Sequence, residues 1–194
     1  MEAFLVSTGI VTLAEMGDKT QLLSLVLAAR FRKPWPIICG IFVATLVNHG
    51  LAGALGEWIN SFIGPDVMRW ILGISFIAMA GWMLIPDKFD DDELQAHTKW
   101  GVFGTTLVAF FLAEMGDKTQ IATVMLAAQY QAYVWVVLGT TLGMMLANAP
   151  AVWLGDKLVK RIPLRAVHVT SALIFLLLGV LAIAGPALAQ WWSR

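Results

Sequence analysis

A single cysteine, Cys39, among 194 residues excludes an internal disulfide, and its place in an apolar run marks it as a packing residue rather than a reactive one. Charge is scarce as well: 13 Lys and Arg stand against 13 Asp and Glu, a formal net charge of zero. No block of basic residues occurs, so the electrostatic footprint of a nucleic-acid binder is missing. Histidines and the lone cysteine form no cluster in the sequence, which leaves out the thiolate and imidazole sites that zinc and copper favour. Met1-Glu2-Ala3 lacks the positive start of a secretory signal, so the first apolar segment is expected to be retained in the membrane.

What the chain has in abundance is hydrocarbon. Hydrophobic residues make up 59% of it and the mean hydropathy is +0.76, well above the roughly 45–50% apolar content of soluble domains. Apolar runs fall at about 3–29, 36–57, 67–86, 100–128, 133–155 and 167–189, each close to the roughly 20 residues an apolar helix needs to cross a bilayer. The expected fold class is therefore all-α integral membrane, with six transmembrane helices. Short connectors carry the turn and charge signals, among them Arg30 to Pro34, Gly64-Pro65-Asp66, the acidic Pro86 to Lys99 stretch and Lys157 to Arg165. Most of the nine tryptophans lie near run ends, where an amphipathic indole favours the membrane interface.

The chain repeats itself. Shifted by 99 positions without a gap, LAEMGDKTQLLSLVLAA aligns with LAEMGDKTQIATVMLAA, Gly40 with Gly139, Leu55 with Leu154, Gly56 with Gly155 and Glu57 with Asp156. Two halves of three spans follow, residues 1–86 and 100–194, joined by an acidic linker at 87–99. Three is odd, so the halves enter the membrane from opposite sides, as in the inverted repeats of many secondary transporters. With the N-terminus outside, the inner connectors hold nine basic residues (Arg30, Arg32, Lys33, Lys88, Lys99, Lys157, Lys160, Arg161, Arg165) and the outer side two, Arg69 and Arg194. That bias places both termini outside the cytoplasm and the acidic linker inside.

Each half then carries charge where hydrocarbon belongs. On a helix Glu15, Asp18 and Gln21 would share a face, and Glu114, Asp117 and Gln120 repeat the column. Gly17 and Gly116 allow close helix approach in an unbroken span, the first expectation, or a break that frees backbone carbonyls, the second. An ionisable side chain at the centre of a span costs roughly 2.5–3.5 kcal/mol on insertion scales, so these groups are expected to share a polar cavity. Four carboxylates (Glu15, Asp18, Glu114, Asp117) against two ammonium groups (Lys19, Lys118) leave a charge that one divalent cation balances. Oxygen ligands, with hydroxyls from Thr20 and Thr119, suit Ca²⁺, Mg²⁺ or Mn²⁺. Asn48, His49 and Asn148 are candidate accessory ligands, His49 aligning with Asn148 under the same shift. Without a cation, carboxylates crowded in a low-dielectric cavity cannot all stay ionised, so a cation entering would displace protons. Exchange of a divalent cation for H⁺ follows.

Two copies of E-x-G-D-[KR]-[TS], here Glu15-Met16-Gly17-Asp18-Lys19-Thr20 and Glu114-Met115-Gly116-Asp117-Lys118-Thr119, resemble the motifs of the Golgi manganese/calcium:proton exchangers and their bacterial manganese-exporting relatives. The resemblance spans essentially the whole chain. It implies a cation/H⁺ antiporter, not an enzyme, with the acidic residues of both motifs forming the site and no cofactor beyond the transported ion. Mn²⁺ is the ion it favours, with Ca²⁺ second. The six-span core fits a bacterial inner (plasma) membrane protein whose partners are the cation, protons and the lipid bilayer, with no nucleic acid. A passive channel, an assembly factor and a membrane-embedded metal-dependent hydrolase are the rival classes.

Other features read as structure. Met16 and Met115 are apolar filler more readily than thioether ligands. Asp90-Asp91-Asp92-Glu93 lacks the spacing and central glycine of an EF-hand loop and reads as solvated linker. Gly50, Gly53 and Gly56 form a small-residue stripe for helix packing. Lys19 and Lys118 are either structural partners of the carboxylates or surrogate cations.

Overall fold

The computed structural model describes residues 1–85, 100–154 and 164–192. The acidic linker with Asp90 to Glu93, the Lys157 to Pro163 connector and the Gly155 and Asp156 matches of the repeat lie outside the described residues. Among those described the chain is all helix: α1 Glu2–Glu15, α2 Lys19–Phe31, α3 Pro34–Asn60, α4 Pro65–Trp82, α5 Gly101–Glu114, α6 Lys118–Tyr130, α7 Tyr133–Leu154 and α8 Leu164–Trp192. Proline opens α3 and α4, where its missing N–H costs no hydrogen bond. Arg32 and Gln131 close α2 and α6 in the left-handed conformation, at φ 51° and 50°, so the chain turns at once into α3 and α7.

The runs expected at 3–29 and 100–128 are not single helices. Each is a 14-residue helix followed by a 13-residue one, interrupted at the motif. Among the described residues three helices are long and apolar enough to cross a membrane, at Pro34–Asn60, Tyr133–Leu154 and Ala166–Ala184.

Polarity is reversed relative to a soluble protein. Glu15, Asp18, Asn48, His49, Glu114, Asp117, Lys118 and Asn148 are buried, whereas Leu51, Trp58, Leu173, Leu177 and Trp35 are exposed. A layer of large apolar side chains outside and a charged interior is the arrangement a lipid solvent selects. Cys39 lies exposed on α3, so it belongs to that outer layer.

Glycines decide how the helices meet. Gly40 lets α3 approach α5 at Phe103 and Thr106, and Gly139 lets α7 approach α1 at Phe4 and Ser7. Every residue of the second contact is 99 positions from its counterpart in the first, so one contact is made twice with the halves exchanged. Both pairs run in register: Asn48 meets Phe111 further along α3 and α5, and Gly143 meets Thr8 and Thr12 further along α7 and α1. The α4–α8 crossing is reciprocal too, each of Gly73 and Gly179 facing the other's carbonyl oxygen. Their separation of 106 residues shows that the simple shift does not extend to the third helix of each half. Phe76 and Phe175 complete that contact edge to face, with centroids 5.8 Å apart.

Candidate functional site

The site begins where α1 and α5 stop. Met16 is extended at ψ 113° and Asp18 at ψ 169°, and between them Gly17 takes φ 85°. Gly116 repeats this at φ 75°. Left-handed backbone costs an L-residue with a side chain roughly 1–2 kcal/mol, which is the physical need for glycine here. Gln21 Oε1 accepts from the Gly17 N–H at 3.0 Å and Gln120 Oε1 from the Gly116 N–H at 2.8 Å. The motif glutamines therefore staple the breaks.

This corrects the column of ligands expected on one helix face. Glu15 ends α1, Asp18 caps α2 and Gln21 bonds back to the break, because the chain leaves helical geometry between them; Glu114, Asp117 and Gln120 do the same. A helix C-terminus carries about half a negative charge. Glu15 and Glu114 sit at such ends, against the preference of a carboxylate, and a cation would relieve both.

Ligand atoms of Glu15, Glu114 and Asp117, all buried, lie within 4.8 Å of one another. Thr20 Oγ1 donates to Glu15 Oε2 at 2.5 Å and Thr119 Oγ1 to Glu114 Oε2 at 3.1 Å, so the motif threonines orient the glutamates. Glu15 Oε1, Glu114 Oε1 and Asp117 Oδ2 accept no hydrogen bond from the described residues. Asp18 is engaged elsewhere, in a buried pair with Lys118, while Lys19 Nζ stands 3.7 Å from Asp117 Oδ1. Each lysine thus serves the aspartate of the opposite half. Setting aside the neutral Asp18–Lys118 pair leaves three carboxylates against one ammonium, still formally matched to a divalent ion.

Of the accessory candidates, His49 reaches the cluster, its Nε2 4.0 Å from Glu114 Oε2. Asn48 donates to the Phe111 carbonyl at 3.0 Å, near the C-terminus of α5. Asn148 accepts from Ser24 Oγ at 2.9 Å and donates to Met144 O at 3.1 Å, so both asparagines tie helices together. Met115 is 56% exposed and turned away from the buried cluster. Sequence reasoning missed Ser24, one turn beyond Thr20, and Ser171, whose hydroxyl satisfies the Leu13 carbonyl at the end of α1 at 2.9 Å. Only the spacing from Thr20 could have indicated Ser24; nothing in the sequence pointed to Ser171.

A helical chain that buries a carboxylate cluster between two paired helix breaks, inside an apolar exterior, is built as an ion-handling membrane protein. The sequence profile described as "Divalent cation/proton antiporter GDT1" matches residues 3–91 and 102–189, and the chain belongs to the GDT1 family. It is accordingly a transporter and not an enzyme. A Vibrio cholerae protein named "Putative manganese exporter" is 51% identical over 181 residues, covering 93% of this chain and 90% of that one. A GDT1-like protein of Synechocystis is 26% identical over all of this chain and 98% of its own length. GDT1-like protein 4 of Oryza sativa subsp. indica is 27% identical over 90% of this chain and 70% of its own. No solved structure matches the chain.

Proposed function

We propose that this protein exports Mn²⁺ from a bacterial cell in exchange for H⁺, through one site formed by both motifs. The observation that carries the reading is the buried meeting of Glu15, Glu114 and Asp117 at two juxtaposed helix ends. Their oxygens suit a hard or borderline divalent ion. Asp18 is the fourth carboxylate, freed for the ion when Lys118 withdraws, and Gln21 and Gln120 form the wall that holds the breaks open. Protons and the cation compete for the same oxygens, since three negative charges at this spacing in a dry cavity repel one another strongly. One site with two competing occupants is the minimum an antiporter requires.

The proposed architecture is six spans in two inverted halves, 1–86 and 100–194, with α1–α2 and α5–α6 as the broken spans. Two features support inversion. α3 runs alongside α5 in the same direction, and α3 follows α2 after a two-residue turn; if that turn reverses the chain, α5 opposes α1. The positive-inside bias supports both termini lying outside the cytoplasm, in the inner membrane. Mn²⁺ is favoured by the name of the Vibrio cholerae relative, with Ca²⁺ the second substrate.

Purified protein in liposomes should take up Mn²⁺ when a pH gradient is imposed and move protons the other way. Glu15→Gln and Glu114→Gln should each lower that uptake by at least about ten-fold, the scale on which metal sites respond to loss of one partner. Mn²⁺ flux with no proton counterflux would instead mark a channel, and full uptake by both variants would remove the cluster from the pathway. Parallel runs with Ca²⁺, Mg²⁺ and Zn²⁺ rank the substrates.

A further inference from the structure

We propose that His49 is a selectivity ligand, its imidazole joining Glu15, Glu114 and Asp117 around the transported ion and biasing the site toward a first-row transition-metal ion over Ca²⁺ and Mg²⁺. The inference rests on the reading of the acidic cluster as the ion site.

His49 is completely buried, and neither of its ring nitrogens has a hydrogen-bond partner among the described residues. Buried polar groups are almost always satisfied, and leaving one unpaired is costly, so an imidazole with both nitrogens open calls for an explanation. Its Nε2 lies 4.0 Å from Glu114 Oε2, beyond hydrogen-bonding reach. Two donors sharing one ion through bonds of roughly 2.0–2.2 Å stand about 3–4.4 Å apart, and this separation falls in that interval. Glu114 Oε1, Glu15 Oε1 and Asp117 Oδ2 also lack donors. Glu15, Glu114 and Asp117 thus bring open oxygen lone pairs together, and His49 adds an open nitrogen beside Glu114.

Position 49 is also where the two halves differ in kind. Its counterpart, Asn148, is engaged with Ser24 and Met144, so the second half supplies no nitrogen. Ca²⁺ and Mg²⁺ take oxygen ligands almost exclusively, whereas first-row divalent metals accept imidazole. A single histidine among carboxylates therefore raises affinity for the second group without excluding the first.

The test loads the purified full-length protein with Mn²⁺ and examines the ion by pulsed electron paramagnetic resonance. Wild type should show hyperfine coupling to an imidazole nitrogen, and His49→Asn, which installs the side chain found at position 148, should lose it. In liposomes His49→Asn should lower the ratio of Mn²⁺ to Ca²⁺ uptake by about ten-fold or more. Absence of nitrogen coupling in the wild type overturns the proposal by itself, even if the variant does not fold. An unchanged Mn²⁺ to Ca²⁺ ratio in a monodisperse variant overturns it as well. Failure of the underlying site is read separately, as undiminished Mn²⁺ uptake in Glu15→Gln and Glu114→Gln.

Discussion

Lys19 and Lys118 occupy the same place in two copies of one motif yet stand in different surroundings. The Lys118 side chain is 4% exposed and pairs with a fully buried Asp18, whereas Lys19 is 28% exposed and only approaches Asp117. Removing one partner of a buried pair leaves an uncompensated charge and costs about 3–5 kcal/mol. Lys118→Gln is therefore expected to lower the melting temperature and the yield of folded protein. Lys19 has water to turn to, and its hold on Asp117 is that of a part-exposed pair. Lys19→Gln should leave the yield intact and tighten Mn²⁺ binding by about two- to five-fold, the range of such pairs. Calorimetric binding and thermal unfolding of the two variants check both halves of the prediction; the reverse pattern would show that the lysines had been assigned the wrong way round. The sequence makes both residues candidates for either role, and only the unequal burial separates them.

At the scale of the helix, the interruption at the motif is the feature on which the site depends. Gly116 is the cleaner place to test it, because nothing lies within 4 Å of an added Cβ, so any penalty comes from its φ of 75° alone. Gly116→Ala should cost about 1–2 kcal/mol of stability and reduce Mn²⁺ uptake, since a straightened α5–α6 would carry Glu114 away from Glu15. A variant with unaltered melting and transport would mean that the break is not required. Much of the element pattern was legible: the runs expected at 36–57 and 133–155 correspond to α3 at Pro34–Asn60 and α7 at Tyr133–Leu154, and both motifs declared themselves as a repeated polar intrusion. Packing at Gly53 and Gly56 was legible too, an added Cβ there falling 2.9 Å from Val137 and from Ala127. The break was legible only as the second expectation for Gly17 and Gly116, because a glycine within an apolar run allows a helix to continue as well as to end. The Gln21 side-chain oxygen capturing the Gly17 N–H holds the break locally, and the crosswise lysine–aspartate pairs add contacts that require the second half to be in place.

For the whole molecule the related interfaces are unequal, and that inequality has a consequence for transport. α6 lies close against α3 through Gly56, with the Val124 carbonyl directly over it. The corresponding pair, α2 and α7, meets through side chains, Gln21 to the Ala147 carbonyl and Ser24 to Asn148. Further along, the same pair leaves a cavity of about 480 Å³ lined by residues that include Leu25, Val26, Ala29, Val152 and Trp153, against about 280 Å³ between α3 and α6 at Leu51, Leu55 and Val124. In the proposed orientation, with both termini outside, the close pair would face the extracytoplasmic side and the looser pair the cytoplasm, and exchange across the membrane would require the two to trade conditions. In a Cys39→Ala background, Leu25→Cys should react with a membrane-impermeant maleimide from the cytoplasmic face, while Val124→Cys, only 9% exposed, stays protected. Adding Mn²⁺ with an inward proton gradient should slow the first reaction and speed the second, because an ion carried outward must pass the α3–α6 contact. Equal reactivity at the two positions, unmoved by ion or gradient, would mean that the halves do not alternate and that the inequality is fixed packing.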